Sequence, residues 1–366
     1  MPRRPPRGGA SLAGALWQVL VGAGSGLSIS AGIDYSDEAG FASRHPALAA
    51  RGIKCDAAMI ANREAAAEPR LWWAYHARHA QFVLSQGERD EAHAALREIV
   101  GGRALRRAHF CVASTVDHLL ERHGFDAQRV YTPHGSYRLL QCKRGCGQPA
   151  YDAAAEVARL CSNVEPGTGL LSPECALPTC PRCGGSACFN LNEFSQGGTR
   201  SHRRSPWYQD AHWGAARARL QEFLRGVAAA GQRLVVLEVG AGHATPGLLR
   251  NQLEEVARAD PNATMVRINA RRPEAPSVPE ERSCELGWTA AAALAWIRDA
   301  LRDAPPNPSV APPVEASSTP RGWRGPKKPP RGHALDDPAD FFFLTSTGRL
   351  AVLASRQHTS GRRLLW

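Results

Sequence analysis

The sequence predicts an α/β fold, a doubly wound parallel sheet carrying a smaller inserted domain. Three observations carry that expectation. Val19, Leu20 and Val21 form an apolar run that leads straight into Gly22-Ala23-Gly24-Ser25-Gly26, the pattern of a buried strand feeding a glycine-rich turn and a helix start. Strand-like runs then alternate with helical stretches, which implies parallel strands with helices on both faces. Finally, seven of the ten cysteines crowd into the stretch from Cys142 to Cys188, marking a module of different character.

A short helix over 11–17 precedes the first strand, and after the glycine turn a small-residue segment closes on Gly32-Ile33-Asp34-Tyr35. Residues 41–63 lack a strong period and read as a loop with short helical pieces. Residues 68–84 read as an amphipathic helix, with large residues at Leu71, Trp72, Tyr75, His79, Phe82 and Val83. His76 and His79 lie one turn apart on it without a third ligand nearby, so they read as packing or surface histidines. A second helix covers 90–100, capped by Asp90. Residues 108–114 form a buried strand, followed by Thr115-Val116-Asp117-His118 and a short helix ending at Gly124. Residues 130–140 read as strand, turn at Pro133-His134-Gly135, strand.

Beyond the cysteine module, about 141–194, come a helix over 213–230 and a strongly apolar strand over 234–239. That strand breaks at Gly240-Ala241-Gly242-His243 into Thr245-Pro246 and a further helix. A strand over 264–269 and an Ala-rich helix over 288–302 complete the main domain, 17–302. The strand series is interrupted by a helical insert, about 41–107, and by the cysteine module, which together form the smaller domain. Residues 1–16 are a basic tail, and 303–335 are a Pro-rich linker of disordered composition. The remainder, 336–366, carries two apolar runs around Thr347-Gly348 that suggest a hairpin completing a sheet edge.

Composition narrows the function. An apolar share of 43% suits a globular core, and the absence of any run of eighteen apolar residues argues against a membrane span. The formal net charge of +11 could suggest an anionic partner, but much of it sits in the N-terminal PRRPPR and in 321–331. No basic stripe interleaved with aromatics stands out, so nucleic acid is not the favoured partner. Clustered cysteines without a secretory signal read as metal ligands in a reducing, cytoplasmic compartment. The Arg-rich, acid-free N-terminus also resembles an organelle-targeting peptide, with a plain basic tail the preferred reading.

Cys142-x3-Cys146 followed by Cys180-Pro-Arg-Cys183-Gly-Gly supplies four thiolates that can converge tetrahedrally on zinc. Such a closed site is structural. The other chemistry gathers where strands end: 22–28, Ser114–Asp117, His134-Gly135, 240–245 and Ile268-Asn269. In open parallel sheets ligands bind beyond these ends. Glycine-rich turns let backbone N–H groups approach a pyrophosphate. Singly, His134 would be a satisfied loop histidine and Asp117 a helix cap.

In this order, these motifs resemble those of the sirtuins, NAD-dependent protein deacylases and ADP-ribosyltransferases. GAGSGLSISAGIDY, HGSYRLLQCKRGC and VVLEVGAGHATPGLLR…VRIN are most similar to the branch associated with macrodomains in microbes. The resemblance spans about 18–270. It implies a Rossmann-like large domain, a small helical and zinc-ribbon domain, and NAD between them. Gly22, Ala23, Gly24, Ser25, Gly26 and Ser28 would then form the pyrophosphate loop, with Asp34 and Tyr35 over the nicotinamide end. Gly240, Gly242 and Thr245 would line the phosphates and the adenosine ribose, and Asn269 and Ala270 would lie near the adenosine. His134 matches the catalytic histidine of deacylases, whose neutral imidazole takes a ribose-hydroxyl proton.

Two departures matter. Deacylases carry Gln-Asn-x-Asp where this chain has Ser114-Thr115-Val116-Asp117, so a threonine stands where an asparagine positions the ribose. The macrodomain-associated branch tends to have Gln where His134 stands. The resemblance therefore implies an enzyme that releases nicotinamide and uses Thr115, Asp117 and His134 to transfer ADP-ribose, to a protein or to an acyl group removed from lysine. Protein ADP-ribosylation is favoured over deacylation. The alternative is a weakened NAD-binding scaffold, motivated by Thr115.

Overall fold

The computed structural model describes residues 17–101, 108–192, 209, 211–242, 249–303, 341–344 and 350–353. The chain opens with β1 (Trp17–Ala23), buried along its whole length, then α1 (Ser25–Ser28) and a 3-10 turn that ends at Gly32 with φ 85°. Trp17 thus belongs to the strand and not to the helix expected over 11–17, whose other residues lie outside the described ones. Short helices follow: α2 (Glu38–Arg44), α3 (Pro46–Ala50), α4 (Asp56–Ile60) and α5 (Arg63–Ala67). The long α6 (Pro69–Ser85) starts with proline at its first position and Glu68 accepting from the Arg70 amide as N-cap.

Next come α7 (Glu91–Gly101), β2 (His109–Ala113), α8 (Leu119–Arg122) and β3 (Val130–Tyr131). The cysteine module holds β4 (Gly135–Cys142), β5 (Tyr151–Asp152), α9 (Ala154–Cys161) and β6 (Ala187–Leu191). The chain continues through α10 (Ala211–Ala229), β7 (Arg233–Val239), α11 (Arg250–Ala259), β8 (Ala263–Ile268), β9 (Ser283–Leu286) and α12 (Ala290–Asp303).

Six of these strands make one sheet in the order β3-β2-β1-β7-β8-β9, every pair parallel. β1 lies at the centre because its residues are apolar on both faces, as a strand covered on both sides requires. Alternation decides which residue goes where: Val19 and Val21 pack toward α7 and α12, while Leu20 packs toward α10 and α11. Helix α7 falls within the stretch expected as the helical insert, yet Ala92, Leu96 and Val100 pack into the sheet core beside α12.

A separate core joins α6 to the cysteine module. Trp73, Ala77 and Ala80 meet Leu160 of α9 and Tyr137, Leu140 and Phe189 of the antiparallel β5-β4-β6 sheet. Phe41, Leu48 and Met59 from the short helices cover the other flank of α6 around Tyr75. The C-terminal apolar runs pair antiparallel as β10 (Phe341–Leu344) and β11 (Leu350–Leu353). They form a two-stranded sheet of their own, in place of the expected extension of a larger edge, because their backbone hydrogen bonds go to each other. The tail 1–16, residues 304–335 of the expected linker and the rest of 336–366 lie outside the described residues. No helix among the described residues is long and apolar enough to cross a membrane.

Candidate functional site

Parallel strands bring the segments after β1, β2, β3, β7 and β8 to one end of the sheet. There the two glycine turns touch backbone to backbone. The Gly24 amide donates to Val239 O at 2.9 Å and the Gly26 amide to Gly240 O at 2.8 Å. A Cβ on Gly24 would stand 2.4 Å from Ala241 Cα, and one on Gly26 2.7 Å from Gly240 Cα. Glycine is therefore demanded by chain-on-chain approach at these two positions, independently of any phosphate. Gly22 and Ala23 lie inside β1, and a Cβ on Gly22 would meet Leu253 at 2.2 Å. A Cβ on Gly242 would lie 3.9 Å from Ser25 Oγ, so the two turns also meet there. Thr245 lies outside the described residues.

Below the first turn, Asp117 anchors three groups. It accepts from Ser28 Oγ at 2.7 Å, Thr115 Oγ1 at 3.2 Å and the Leu119 amide at 3.0 Å. The Thr115 hydroxyl proton is thus given to Asp117, leaving lone pairs as what Thr115 can offer a ligand. A recess beside the turn is lined by Gly24, Ser28, Thr115, Asp117, His118 and Thr132. Tyr35 packs edge-on to His79, ring centres 5.2 Å apart, and burial together with the carboxylates of Asp117 and Asp56 pushes its phenol well up. Asp34 accepts from the backbone and hydroxyl of Ser36.

His134 sits in the turn between β3 and β4, half-buried. Desolvation holds its imidazole down to about 4, so it is neutral at physiological pH. Its carbonyl accepts from the Asn192 amide at 2.9 Å, and the next residue, Gly135, has φ 87° with a would-be Cβ only 2.0 Å from Asn190 O. The β4 strand is pinned just after the histidine.

At the other side, Asn269 donates to Ala241 O at 2.9 Å and accepts from the Arg271 and Arg272 amides, shaping the loop that contains exposed Ala270. A buried charge network that the sequence reading missed supports both loops. Arg267 meets Glu238 and Glu254, each at 2.7 Å, while Arg250 reaches Glu238 at 3.5 Å and the carbonyls of Ala241, Arg272 and Glu274. A glutamate inside an otherwise apolar strand run was the available signal.

The four cysteines converge. Cys142 and Cys183 sulfurs are 3.7 Å apart, Cys146 and Cys180 3.5 Å, and all four lie within 4.8 Å of one another. Tetrahedral zinc with bonds of about 2.3 Å needs sulfur spacings of roughly 3.8 Å, so the set fits that metal. The backbone around Cys146, with the Arg144 amide donating at 3.3 Å, lowers the Cys142 thiol to about 6. Gly145, Gly147 and Gly184, all with positive φ, make the knuckle turns. Buried Cys175 and Cys188 instead accept from Arg159 and Gln141.

Comparison with known proteins agrees with the resemblance read from the motifs. No family model matches. Over 269 residues, 73% of this chain, it is 27% identical to the "Probable bifunctional ADP-ribose hydrolase/ADP-ribosyltransferase" of Fusarium oxysporum f. sp. cubense, of which it spans 42%. It is 22% identical over 268 residues to the "Protein ADP-ribosyltransferase" of Staphylococcus aureus, spanning 79% of that protein. Among solved structures it is similar to a Sir2 homologue in complex with NAD (TM-score 0.48, 17% identity, 79% of this chain and 91% of that one). A Sir2 homologue mutant with ADP-ribose matches at TM-score 0.48, 18% identity, 79% and 93%. The chain is similar to sirtuins and, among curated proteins, to ADP-ribosyltransferases.

Proposed function

We propose that this protein binds NAD at the carboxyl end of its parallel sheet, releases nicotinamide and transfers ADP-ribose to a protein. One feature carries the reading: Ser28 and Thr115 both donate to Asp117 beside the Gly24 turn. That arrangement gives a polar, buried floor beside the turn, lining the same recess as Gly24. NAD would supply an ADP-ribosyl group bound to a good leaving base. Gly24 and Ser25 would hold the phosphates, Thr115 would accept from a ribose hydroxyl, and Asp117 would keep Ser28 and Thr115 in place. Gly240, Gly242 and the loop shaped by Asn269 would hold the adenosine side. The zinc-ribbon holds its module together and takes no part in the reaction.

Transfer to protein is preferred over deacylation because the sequence motifs and the names of both curated relatives point to ADP-ribosyl transfer. His134 favours the other outcome. A neutral imidazole can take a ribose-hydroxyl proton, which acyl removal requires. Mass spectrometry of the zinc-loaded chain incubated with NAD, with unmodified and acyl-lysine proteins, separates them. Protein-bound ADP-ribose supports transfer, O-acyl-ADP-ribose supports deacylation, and absence of nicotinamide release overturns both. NAD binding without turnover, gained on Thr115→Asn, would identify the scaffold reading.

A further inference from the structure

We propose that His118 is a positioning residue of this site, clamping the turn that carries Thr115 and Asp117 to the strand that opens after His134. The inference rests on the NAD-dependent reading above. Among the described residues His118 alone, glycine aside, has a positive φ, 58°. Histidine is one of the side chains that tolerate this region, yet such a backbone persists only where the surroundings hold it.

Both ring nitrogens are held. Nε2 lies 2.5 Å from Ser136 Oγ and Nδ1 3.2 Å from Glu121 Oε1. Ser136 is fully buried and its oxygen already accepts from the Arg138 amide at 2.9 Å. The Glu121 carboxylate can only accept, so Nδ1 carries a proton and donates to it, and in the neutral ring Nε2 accepts the Ser136 hydroxyl proton. Burial pushes the Glu121 carboxyl up, and the bond from His118 outweighs it, leaving the group below its ordinary value.

The two ends of this clamp are the two halves of the candidate site. On one side, His118 follows Asp117, whose oxygens hold Ser28, Thr115 and the first amide of α8. On the other, Ser136 stands two residues after His134, beyond a glycine wedged against Asn190. A small rotation of His118 would move Asp117 relative to His134, and a misplacement of about 1 Å at such a site is enough to slow a reaction markedly. Nothing in the motif Ser-Thr-Val-Asp-His announces this, because Ser136 comes from 18 residues away.

The test uses the full zinc-loaded chain and reads nicotinamide release from NAD. His118→Gly keeps the left-handed backbone without strain, and Ser136→Ala removes only a hydroxyl. Both are expected to lower kcat about tenfold with KM for NAD within about twofold, and the double variant to be no slower than His118→Gly. Added imidazole should restore part of the His118→Gly rate. Spectra of the ¹⁵N-labelled imidazole at neutral pH should show the Nδ1–H tautomer. Unchanged kcat in both variants, or a loss confined to thermal stability, overturns the inference while leaving the functional reading intact. An Nε2–H tautomer in the unaltered chain does the same. Failure of the unaltered chain to release nicotinamide overturns the functional reading and the inference with it.

Discussion

The two interiors of this protein solve the same problem in opposite ways. Near the ends of β7 and β8 the large sheet buries four full charges, Glu238, Arg267, Arg250 and Glu254, paired with one another and with loop carbonyls. The smaller core around α6, besides the Asp56–Arg44 pair, keeps His45 and His76 neutral and fastens its outer edge with four thiolates. Burial lowers His45 to about 4 and His76 to about 3, and His76 Nδ1 sits 2.9 Å from the Tyr137 hydroxyl. The difference teaches which half depends on its surroundings. The paired charges are indifferent to metal, although burial holds the Glu238 carboxyl above its ordinary value, whereas the thiolates depend on metal and the neutral imidazoles on pH.

Removing the metal should break the comparison most visibly. β5 has only two residues, and the segment from 143 to 186 contains little regular structure apart from α9. Without zinc the four thiolates would repel, and structural zinc contributes folding free energy directly. Chelation, or Cys183→Ser, should abolish the near-UV signal of Trp72, Trp73 and the rings packed against Phe189 and admit proteases between 143 and 186, while most far-UV helix signal survives. Simultaneous loss of both signals would mean that the sheet has no independent stability.

The second effect is confined to the sheet. Arg267 is fully buried, and Arg267→Met would leave Glu238 and Glu254 without their principal partner. Breaking a buried pair on one side typically costs about 3–5 kcal/mol, whereas replacing all members by well-packed apolar residues is often neutral. Denaturant unfolding of Arg267→Met should show a loss in that range, together with weaker NAD binding, since Arg250 and the Ala241 and Glu274 carbonyls share the network. A loss below about 1 kcal/mol would show that water reaches the site.

How much of this could be read beforehand differs between the halves for a physical reason. Strands buried on both faces, such as Leu234–Val239, announce themselves as apolar runs, and closely spaced cysteine pairs announce a metal. β9 does not, since Cys284 alone of its four residues is buried. Gly24 and Gly26 were legible as a turn, but their contact with Gly240 belongs to a residue more than two hundred positions away. Thr115 was legible as a weaker ribose ligand by type, while the gift of its proton to Asp117 is visible only once the turn is folded. Glu238 passed unremarked inside its apolar strand, and its partner Arg267 is 29 residues on.

Acid should sharpen the contrast next. A histidine whose folded value is depressed leaves both states neutral above about 6.5. Below that the unfolded chain takes up a proton that the folded one refuses, so stability falls as pH drops from 6.5 to the folded value. For His45 and His134 the window closes near 4, and for His76 near 3. Asp56, lowered by its bonds to His79, Tyr75 and Arg44 despite burial, adds a loss only at still lower pH. The near-UV transition of the small core should therefore move to lower denaturant between pH 6.5 and 4. His76→Gln, an uncharged replacement that can still bond Tyr137, should flatten its slope.

The smallest effect belongs to the exposed surface where α7 meets α12. Arg302 pairs with Glu98 at 2.5 Å, but the two side chains are 58% and 46% exposed. Solvent screens such a pair, and holding two long side chains still offsets most of its attraction, leaving about 0.5 kcal/mol or less. Arg302→Ala should accordingly shift the unfolding midpoint little, and that little should vanish in high salt. The α7–α12 contact is held instead by Leu96, Val100 and Leu294, all buried to their tips, so Leu294→Ala should cost about 2–5 kcal/mol. If Arg302→Ala rivalled Leu294→Ala, the rule drawn from the sheet, that an ion pair matters here in proportion to its burial, would fail at its most accessible point.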